Sequence, residues 1–201
     1  MKHHHPNHPE RGFTLIEMLV VIGIIALLAS IAIPTGNIVL RKAREVQAKN
    51  DLQSLVIAVK GYQTEYNRMP NPNGTTGGAA AEEAIELTDG NSLLPMLMKP
   101  KGGASVNALN PREIGFFEGK PAKAGSGGLS PDNGFTDPWG SPYYVVMDLN
   151  GDGQVSNPAS GQPISPGSVE TEPENLALEV IAYSLGYKKQ ENLSTAIKSW
   201  R

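Results

Sequence analysis

The hydrophobic pattern divides the chain into an apolar segment, an amphipathic segment and a remainder of mixed polarity. Between Phe13 and Ile33, Glu17 carries the only charged side chain, and Leu, Ile and Val predominate. A helix of this length rises about 31 Å, close to the hydrocarbon thickness of a bilayer. The pattern therefore predicts a membrane-spanning helix. Glu17 is unexpected there, because a carboxylate at mid-bilayer costs roughly 2.5 to 3.5 kcal/mol.

Beyond the apolar segment, hydrophobic residues recur at helical spacing up to about Tyr66. Intervals of three and four place six of them on one face: Leu52, Leu55, Val56, Val59, Tyr62 and Tyr66. Pro34 lacks a backbone donor, so we expect a kink or brief unwinding near it within one continuous helix. A membrane helix followed by a separate short helix is the alternative. A helix that is first apolar on all sides and then amphipathic is expected to leave the lipid and to pack its apolar face on a sheet.

The remaining sequence predicts a small α+β domain. A short helix is expected over residues 79–87, with Glu82, Glu83 and Glu86 on its solvent-exposed side. A second short helix is expected to be capped by Asn91 or Ser92. Residues 101–134 are rich in loop-forming residues.

β-Forming residues cluster at 143–147 and 176–184, which predicts two strands, and a helical turn is expected near Ser194. The segment Asp137-Pro138-Trp139-Gly140 has the residues of a β-turn. Since two strands do not make a stable sheet, a third strand is expected.

Composition excludes several classes of function. The chain has 201 residues, a net charge of −3 and no cysteine, so it forms no disulfide, and nothing in this balance predicts a nucleic-acid partner. No Gly-rich phosphate loop or nucleophile–base set is present, so we do not expect an enzyme. The only histidines are His3, His4, His5 and His8. They form either a metal-binding tract or a disposable tail.

One loop has the pattern of a cation site. Asp148, Asn150 and Asp152 alternate, Gly153 holds the sixth place and Gln154 offers a backbone carbonyl, as in the first half of an EF-hand calcium loop. The twelfth place is Ala159, where a calcium loop has a bidentate carboxylate. Water or a distant carboxylate would therefore have to complete the ligand set. An ordinary polar turn is the alternative.

The segment Arg11-Gly12-Phe13-Thr14-Leu15-Ile16-Glu17, followed by an apolar helix, resembles the class III signal of type IV pilins and type II secretion pseudopilins. The resemblance implies that a prepilin peptidase cleaves after Gly12 and methylates the new amino group of Phe13. It also implies that Glu17 pairs with the free amine of a neighbouring subunit's Phe13 during assembly. The alternative is an interfacial carboxylate favoured by the helix dipole. Pro34 matches the helix-kinking proline of the family.

Two further segments, 137–143 and 197–200, resemble the start of the sheet and the C-terminus of pseudopilins. The lack of a cysteine pair, which commonly closes the C-terminal loop of type IV pilins, favours a pseudopilin. The resemblance implies a structural subunit that polymerises through its N-terminal helix into a type II secretion pseudopilus. It also favours Ca²⁺ at the 148–154 loop, because major pseudopilins carry calcium in a C-terminal loop. A type IV pilin of a surface filament and a monomeric membrane-anchored binding module are the alternatives.

The expected organisation has four parts: leader peptide 1–12, transmembrane helix 13–34, amphipathic continuation 35–66 and periplasmic α+β domain 67–201. Basic residues flank the apolar segment on both sides, so charge does not decide its orientation. The resemblance implies a single pass through the bacterial inner membrane with the N-terminus in the cytoplasm. Expected partners are the prepilin peptidase, other copies of the chain, minor pseudopilins, the inner-membrane assembly platform and the lipid bilayer.

Overall fold

The computed structural model describes residues 12–72, 82–99, 110–123, 126–188 and 193–201. The histidine tract, the leader up to Arg11 and parts of the segments 79–87 and 101–134 lie outside these ranges. The chain divides into two compact units, Met1–Ala43 and Arg44–Arg201.

Helix α1 covers Leu15–Tyr66, which confirms the continuous helix; the alternative of two separate helices is wrong. It ends where Asn67 adopts a left-handed conformation with φ of 50°, a common way for a helix to terminate. The kink expected at Pro34 stays a prediction. In the first unit the described apolar side chains of α1 are exposed. Among the described residues, α1 is the one helix long and apolar enough to cross a membrane.

In the second unit, α1 buries the predicted stripe. Four of its side chains have no exposed surface: Leu52, Leu55, Val59 and Tyr62. They share a core with residues of two central strands, among them Tyr143, Val145 and Ala182. Burying each large apolar side chain contributes roughly 1.5 to 3 kcal/mol, so this face stabilises the fold. Ile57, on the same stretch of helix, is 67% exposed.

The described residues of the second unit also contain a short helix and eight strands. They are β1 (Ile85–Glu86), α2 (Leu93–Leu97), β2 (Gly128–Leu129), β3 (Phe135–Thr136), β4 (Tyr143–Met147), β5 (Val155–Ser156), β6 (Asn175–Leu176), β7 (Val180–Ser184) and β8 (Ile197–Lys198). The main sheet is antiparallel with the order β1-β4-β7-β8. Two further pairs, β2-β3 and β5-β6, are also antiparallel. The described structure is thus the predicted α+β fold.

The two faces of the main sheet are covered differently. Alternate residues of β4 and β7 point to opposite faces, as in any strand. One face meets α1, whereas the other holds Val146, Ile181 and Tyr183 under Val155 and Leu193. Tyr144 stacks on Tyr183 with ring centroids 4.9 Å apart, and burial raises the pKa of Tyr183 to about 12. The central strands β4 and β7 are therefore buried between α1 on one face and residues such as Val155, Ala159 and Leu193 on the other.

Strand β4 and the turn before it agree with the prediction. Gly140 donates its N–H to the Asp137 carbonyl at 2.9 Å, which closes the β-turn. The buried Asp137 carboxylate accepts N–H groups of Trp139 and Ser141 through Oδ1, and the Ser184 hydroxyl through Oδ2 at 2.5 Å. The turn is thereby fixed to the end of β7.

The second predicted strand is shorter than expected. It begins at Val180, because Asn175 and Leu176 pair with β5 instead of continuing into β7. The expected third strand exists on either side of the predicted pair, as β1 and β8. The turn near Ser194 is a short 3₁₀ helix, Leu193–Thr195.

The helix predicted over 79–87 is wrong in the described part of that segment. Ile85 and Glu86 form β1, opposite Val145 and Tyr144. Leu87 extends the contact, because its N–H donates to the Tyr143 carbonyl at 2.8 Å. So short a helix is marginal by itself, and the edge of β4 offers the backbone stronger partners. The predicted helix after Asn91 is present as α2, and the Asn91 side chain accepts the Leu94 N–H at 3.0 Å. Ser92 makes no such bond.

Candidate functional site

The N-terminal site combines an exposed cleavage motif with a capped helix start. Gly12 and Phe13 precede α1 and are both exposed. Glu17 Oε2 accepts hydrogen bonds from the Thr14 backbone N–H at 2.9 Å and from the Thr14 hydroxyl at 2.7 Å. The Glu17 N–H in turn lies 3.3 Å from Thr14 Oγ1. This reciprocal arrangement is a capping box, in which both residues satisfy groups that a helix start leaves unpaired.

The capping box was missed in the sequence, although Thr14-x-x-Glu17 before an apolar run is its signature. Its consequence is chemical. The carboxylate of Glu17 is held at the positive end of the helix dipole by two neutral donors. Among the described residues no ion pair includes Glu17. The chain itself thus orients this carboxylate and leaves its charge without a cationic partner in the described part.

A second candidate site lies in the loop after β4. Carboxylate oxygens of Asp148, Asp152 and Glu82 lie within 4.8 Å of one another. Two of these residues belong to the predicted calcium loop. Glu82 comes from the segment just before β1, and it has the position of the distant carboxylate that the incomplete loop requires. No sequence pattern could have identified Glu82, because only the pairing of β1 with β4 brings it there.

The loop backbone is shaped by glycines and by side-chain hydrogen bonds. Asp148 accepts the N–H groups of Gly151 at 2.6 Å and Gly153 at 2.8 Å, and both glycines have φ of 78°. Asn150 is bonded to Asp152 through both ends of its amide, at 2.8 and 3.2 Å. Gln154 donates its N–H to Asp152 Oδ1. Of the four predicted ligands, two therefore join the carboxylate cluster, whereas the recorded contacts of Asn150 and Gln154 shape the loop.

Glu82 provides the test of whether this cluster fits a cation. Its Oε2 accepts the Ser156 N–H at 2.9 Å, which ties the segment before β1 to β5. Its Oε1 is buried and has no hydrogen-bond partner. A buried carboxylate oxygen without a partner is costly, and two further carboxylates nearby increase the cost by repulsion. A hard cation with oxygen ligands would remove both costs, so these residues fit Ca²⁺.

A third cluster of charges lies at the C-terminus and was not predicted. Oxygen Oε1 of the buried Glu172 accepts a hydrogen bond of 2.8 Å from Lys198 Nζ, and Arg201 Nε lies 3.1 Å from the same oxygen. Asn157 Nδ2 donates to the other oxygen at 3.3 Å. Burial favours the neutral carboxyl, but the bond to Lys198 and the adjacent cations outweigh it, so the pKa of Glu172 is lowered. The cluster holds the last strand to the 157–172 loop.

Comparison with known proteins places these features in a class. Residues 7–33 match the family model of the prokaryotic N-terminal methylation motif. The chain is 32% identical to prepilin peptidase-dependent protein D of Escherichia coli K12 over 50% of this chain and 69% of that protein. It is 30% identical to type II secretion system core protein G of Pectobacterium carotovorum over 54% of this chain and 72% of that protein. No solved structure matches the chain significantly.

The methylation motif and the long N-terminal helix on an antiparallel sheet define a type IV pilin-like protein. A similarity to the major pilin PilA of Myxococcus xanthus reaches 40% identity but covers only 31% of this chain and 28% of that pilin. The core G proteins are matched over far more of their length. The chain belongs to the pseudopilins, the type IV pilin-like subunits of the pseudopilus. The predicted family is thereby confirmed, and the pilin alternative is the weaker one.

Proposed function

We propose that this chain is a structural, non-catalytic subunit of a type II secretion pseudopilus, stored in the inner membrane and assembled through α1. The observation that carries the proposal is the first half of α1, where apolar side chains are exposed on every side behind a Gly12-Phe13 cleavage motif. Such a surface requires lipid or other apolar helices around it.

Processing and assembly follow from the same residues. A prepilin peptidase removes the leader after Gly12 and methylates Phe13. The Glu17 carboxylate then meets the amine of a neighbouring copy's Phe13, which offsets the cost of either charge in lipid. The N-terminus lies in the cytoplasm and the Arg44–Arg201 unit in the periplasm. Minor pseudopilins and the inner-membrane assembly platform are the further partners.

Substitution of Gly12 by Val tests the processing step. No atom lies within 4 Å of the place where a Cβ at Gly12 would go, so the fold tolerates the change. We expect the variant to keep its leader, because the peptidase site has no room for a branched side chain. Intact-mass spectrometry of protein from cells that contain the peptidase measures this. Gly23→Val is the matched control, since Gly23 is equally unobstructed and lies beyond the cleavage site.

A wild-type N-terminus at any residue other than Phe13 would contradict the proposed processing, and so would an uncut wild-type chain in those cells. An unprocessed Gly23→Val variant would show that the effect is not local to the cleavage site.

The proposal includes a Ca²⁺ ion at the loop after β4. Asp148, Asp152 and Glu82 would hold it, and the buried Oε1 of Glu82 supports this choice. The ion would join the segment before β1 to the loop in a chain that has no disulfide. A ligand that binds only the folded form adds about 2.7 kcal/mol of stability at a hundredfold excess over Kd. Thermal unfolding should therefore occur several degrees higher in millimolar calcium than in chelator.

Glu82→Gln is the sharpest variant for this site, because an amide oxygen can still accept the Ser156 N–H while the charge is lost. We expect it to abolish the calcium-dependent shift in Tm, whereas Glu83→Gln, at the exposed neighbouring acid, should retain it. Magnesium should substitute poorly, since it demands tighter octahedral geometry. An identical Tm in calcium and in chelator would reduce the loop to an ordinary polar turn.

A further inference from the structure

An open groove on the Arg44–Arg201 unit has a cationic and aromatic lining. Its volume is about 540 Å³, and it lies between Arg44 of α1, the residues Ala122, Lys123 and Gly127, and the turn before β4. Arg44 and Lys123 contribute two exposed cations, and Trp139 and Tyr187 contribute aromatic rings. Neither cation forms an ion pair with any other described residue. The groove therefore offers positive charge next to apolar surface, which suits an anionic occupant that also has an apolar part.

The same unit presents a projection with the opposite character. Residues 162–172 form a hairpin, in which Ile164 N–H donates to the Glu170 carbonyl and Glu172 N–H to the Gln162 carbonyl. Its tip is a tight turn, closed by a hydrogen bond of 2.9 Å from the Ser168 N–H to the Ser165 carbonyl. Val169, directly after this turn, is 97% exposed.

One acidic side chain lies next to this apolar tip. Glu170 is exposed and takes part in no ion pair with another described residue. A fully exposed valine beside an unpaired carboxylate has no function within the subunit that the structure displays. Its chemistry complements that of the groove in both charge and polarity.

Side-chain contacts fix the base of the hairpin. Glu172 is buried and bonded to Lys198 and Arg201, and Asn157 donates an amide N–H to its other carboxylate oxygen. A projection that is already ordered loses little conformational entropy when it docks. The contacts of the C-terminal charge cluster would thus favour docking as well as the stability of one subunit.

We infer that the 162–172 hairpin of one copy docks in the groove of a second copy, with Val169 against the aromatic rings and Glu170 facing Arg44 and Lys123. The inference rests on the proposed function, since it concerns subunits that polymerise. The contact is heterologous, because it joins two different surfaces, and repeated contacts of this kind generate helical filaments in place of closed dimers. Complementary charge also selects one register over others.

Disulfide cross-linking in assembled filaments tests the contact directly, because the chain has no native cysteine. Val169→Cys places a thiol on the hairpin tip, and Ala122→Cys places one on the exposed groove wall. With both substitutions in one chain, oxidation of filaments should give a ladder of dimers, trimers and larger covalent species. The matched control pairs Val169→Cys with Ala177→Cys, an exposed alanine outside the groove, and should give no ladder.

Charge reversal supplies a second readout. Lys123→Glu and Glu170→Lys should each lower filament yield several-fold, and combining them in one chain should restore it, because the attraction is re-formed with opposite sign. A general defect in folding would not be rescued in this way.

The outcomes separate the contact from the proposed function. Filaments that form normally but give no ladder, with thiols that still react with maleimide, would overturn the contact and leave the pseudopilin assignment standing. Equal ladders from the groove pair and the control pair would also overturn it. A wild-type chain that forms no filaments would overturn the proposed function together with the contact.

Discussion

The two halves of α1 use the same residue types for opposite purposes. Leu19, in the first half, is 59% exposed, whereas Leu55, in the second, has no exposed surface. The first half is apolar on every side and finds no partner in the described part of its own unit. The second half confines its apolar residues to one face, which the sheet covers. The described apolar side chains of the first half are thus left exposed by the chain, and those of the second stabilise the fold.

Two carboxylates, the capped Glu17 and the buried Glu172, show a similar contrast. Glu17 receives only neutral donors from Thr14 and is exposed. Glu172 is buried, and two cations of its own chain neutralise it. A carboxylate whose charge is balanced within the subunit serves folding. Glu17, whose charge is unbalanced in the described part of the chain, is the carboxylate that we propose to pair between subunits.

The largest expected effect comes from Glu17. Glu17→Ala should leave the stability of the Arg44–Arg201 unit unchanged and insert into membranes at least as well as wild type, since a costly charge is removed. It should nevertheless form few or no filaments, as counted by electron microscopy, because the neighbour's amine loses its partner. Glu17→Gln separates charge from capping, because its amide oxygen can still accept the Thr14 N–H.

If Glu17→Ala assembles as abundantly as wild type, the pairing role is wrong. If Glu17→Gln assembles normally while Glu17→Ala does not, the capping box is what assembly requires, and not the charge.

The next effect is on stability. Glu172→Gln leaves Lys198 buried without a counter-charge, which typically costs about 3 to 5 kcal/mol. Both tryptophans, Trp139 and Trp200, lie in the Arg44–Arg201 unit, so urea unfolding of the full chain in detergent can be followed by their fluorescence. Glu174→Gln, an exposed acid of the same segment, should change the free energy of unfolding little.

Glu172→Gln also tests how the stability of the Arg44–Arg201 unit depends on pH. Because the folded pKa of Glu172 lies below the ordinary value of 4.5, its stabilisation is complete above that pH and is lost as pH falls through the lowered folded pKa. Wild type should therefore lose stability steeply below pH 4.5, and Glu172→Gln should lose less over the same range. Parallel curves for the two proteins would show that Glu172 contributes nothing to the acid transition.

A matched pair of leucines provides the most direct comparison of the two halves of α1. Leu55→Ala should destabilise the Arg44–Arg201 unit by about 2 to 5 kcal/mol, because it leaves a cavity under the sheet. Leu19→Ala should not change the unfolding monitored by tryptophan fluorescence. Ile57→Ala, at an exposed position of the second half, should stay within about 0.5 kcal/mol of wild type. Equal losses for Leu19 and Leu55 would show that the first half of α1 also contributes to the folded core.

The sequence by itself determined several features that depend on local pattern. The period of its apolar residues predicted a helix from Phe13 to about Tyr66 and its buried face, and α1 is observed over Leu15–Tyr66, since helical periodicity acts within a few turns. Strand β4, the turn at Asp137 and the signal at Gly12 are likewise short contiguous patterns. The N-terminal motif was found without any structure, because it consists of consecutive residues, and cleavage after Gly12 stays a prediction.

Tertiary structure decided what depends on distant residues. Strand β1 replaced a predicted helix because the edge of β4 offers hydrogen bonds that no local propensity matches. Glu82 joined Asp148 and Asp152 only through that pairing. Glu172 is distant in sequence from Lys198 and Arg201, and the three residues form a charge cluster around the buried carboxylate only when β8 pairs with β7. Long-range pairing is a property of the folded chain, so local periodicity carries no trace of it.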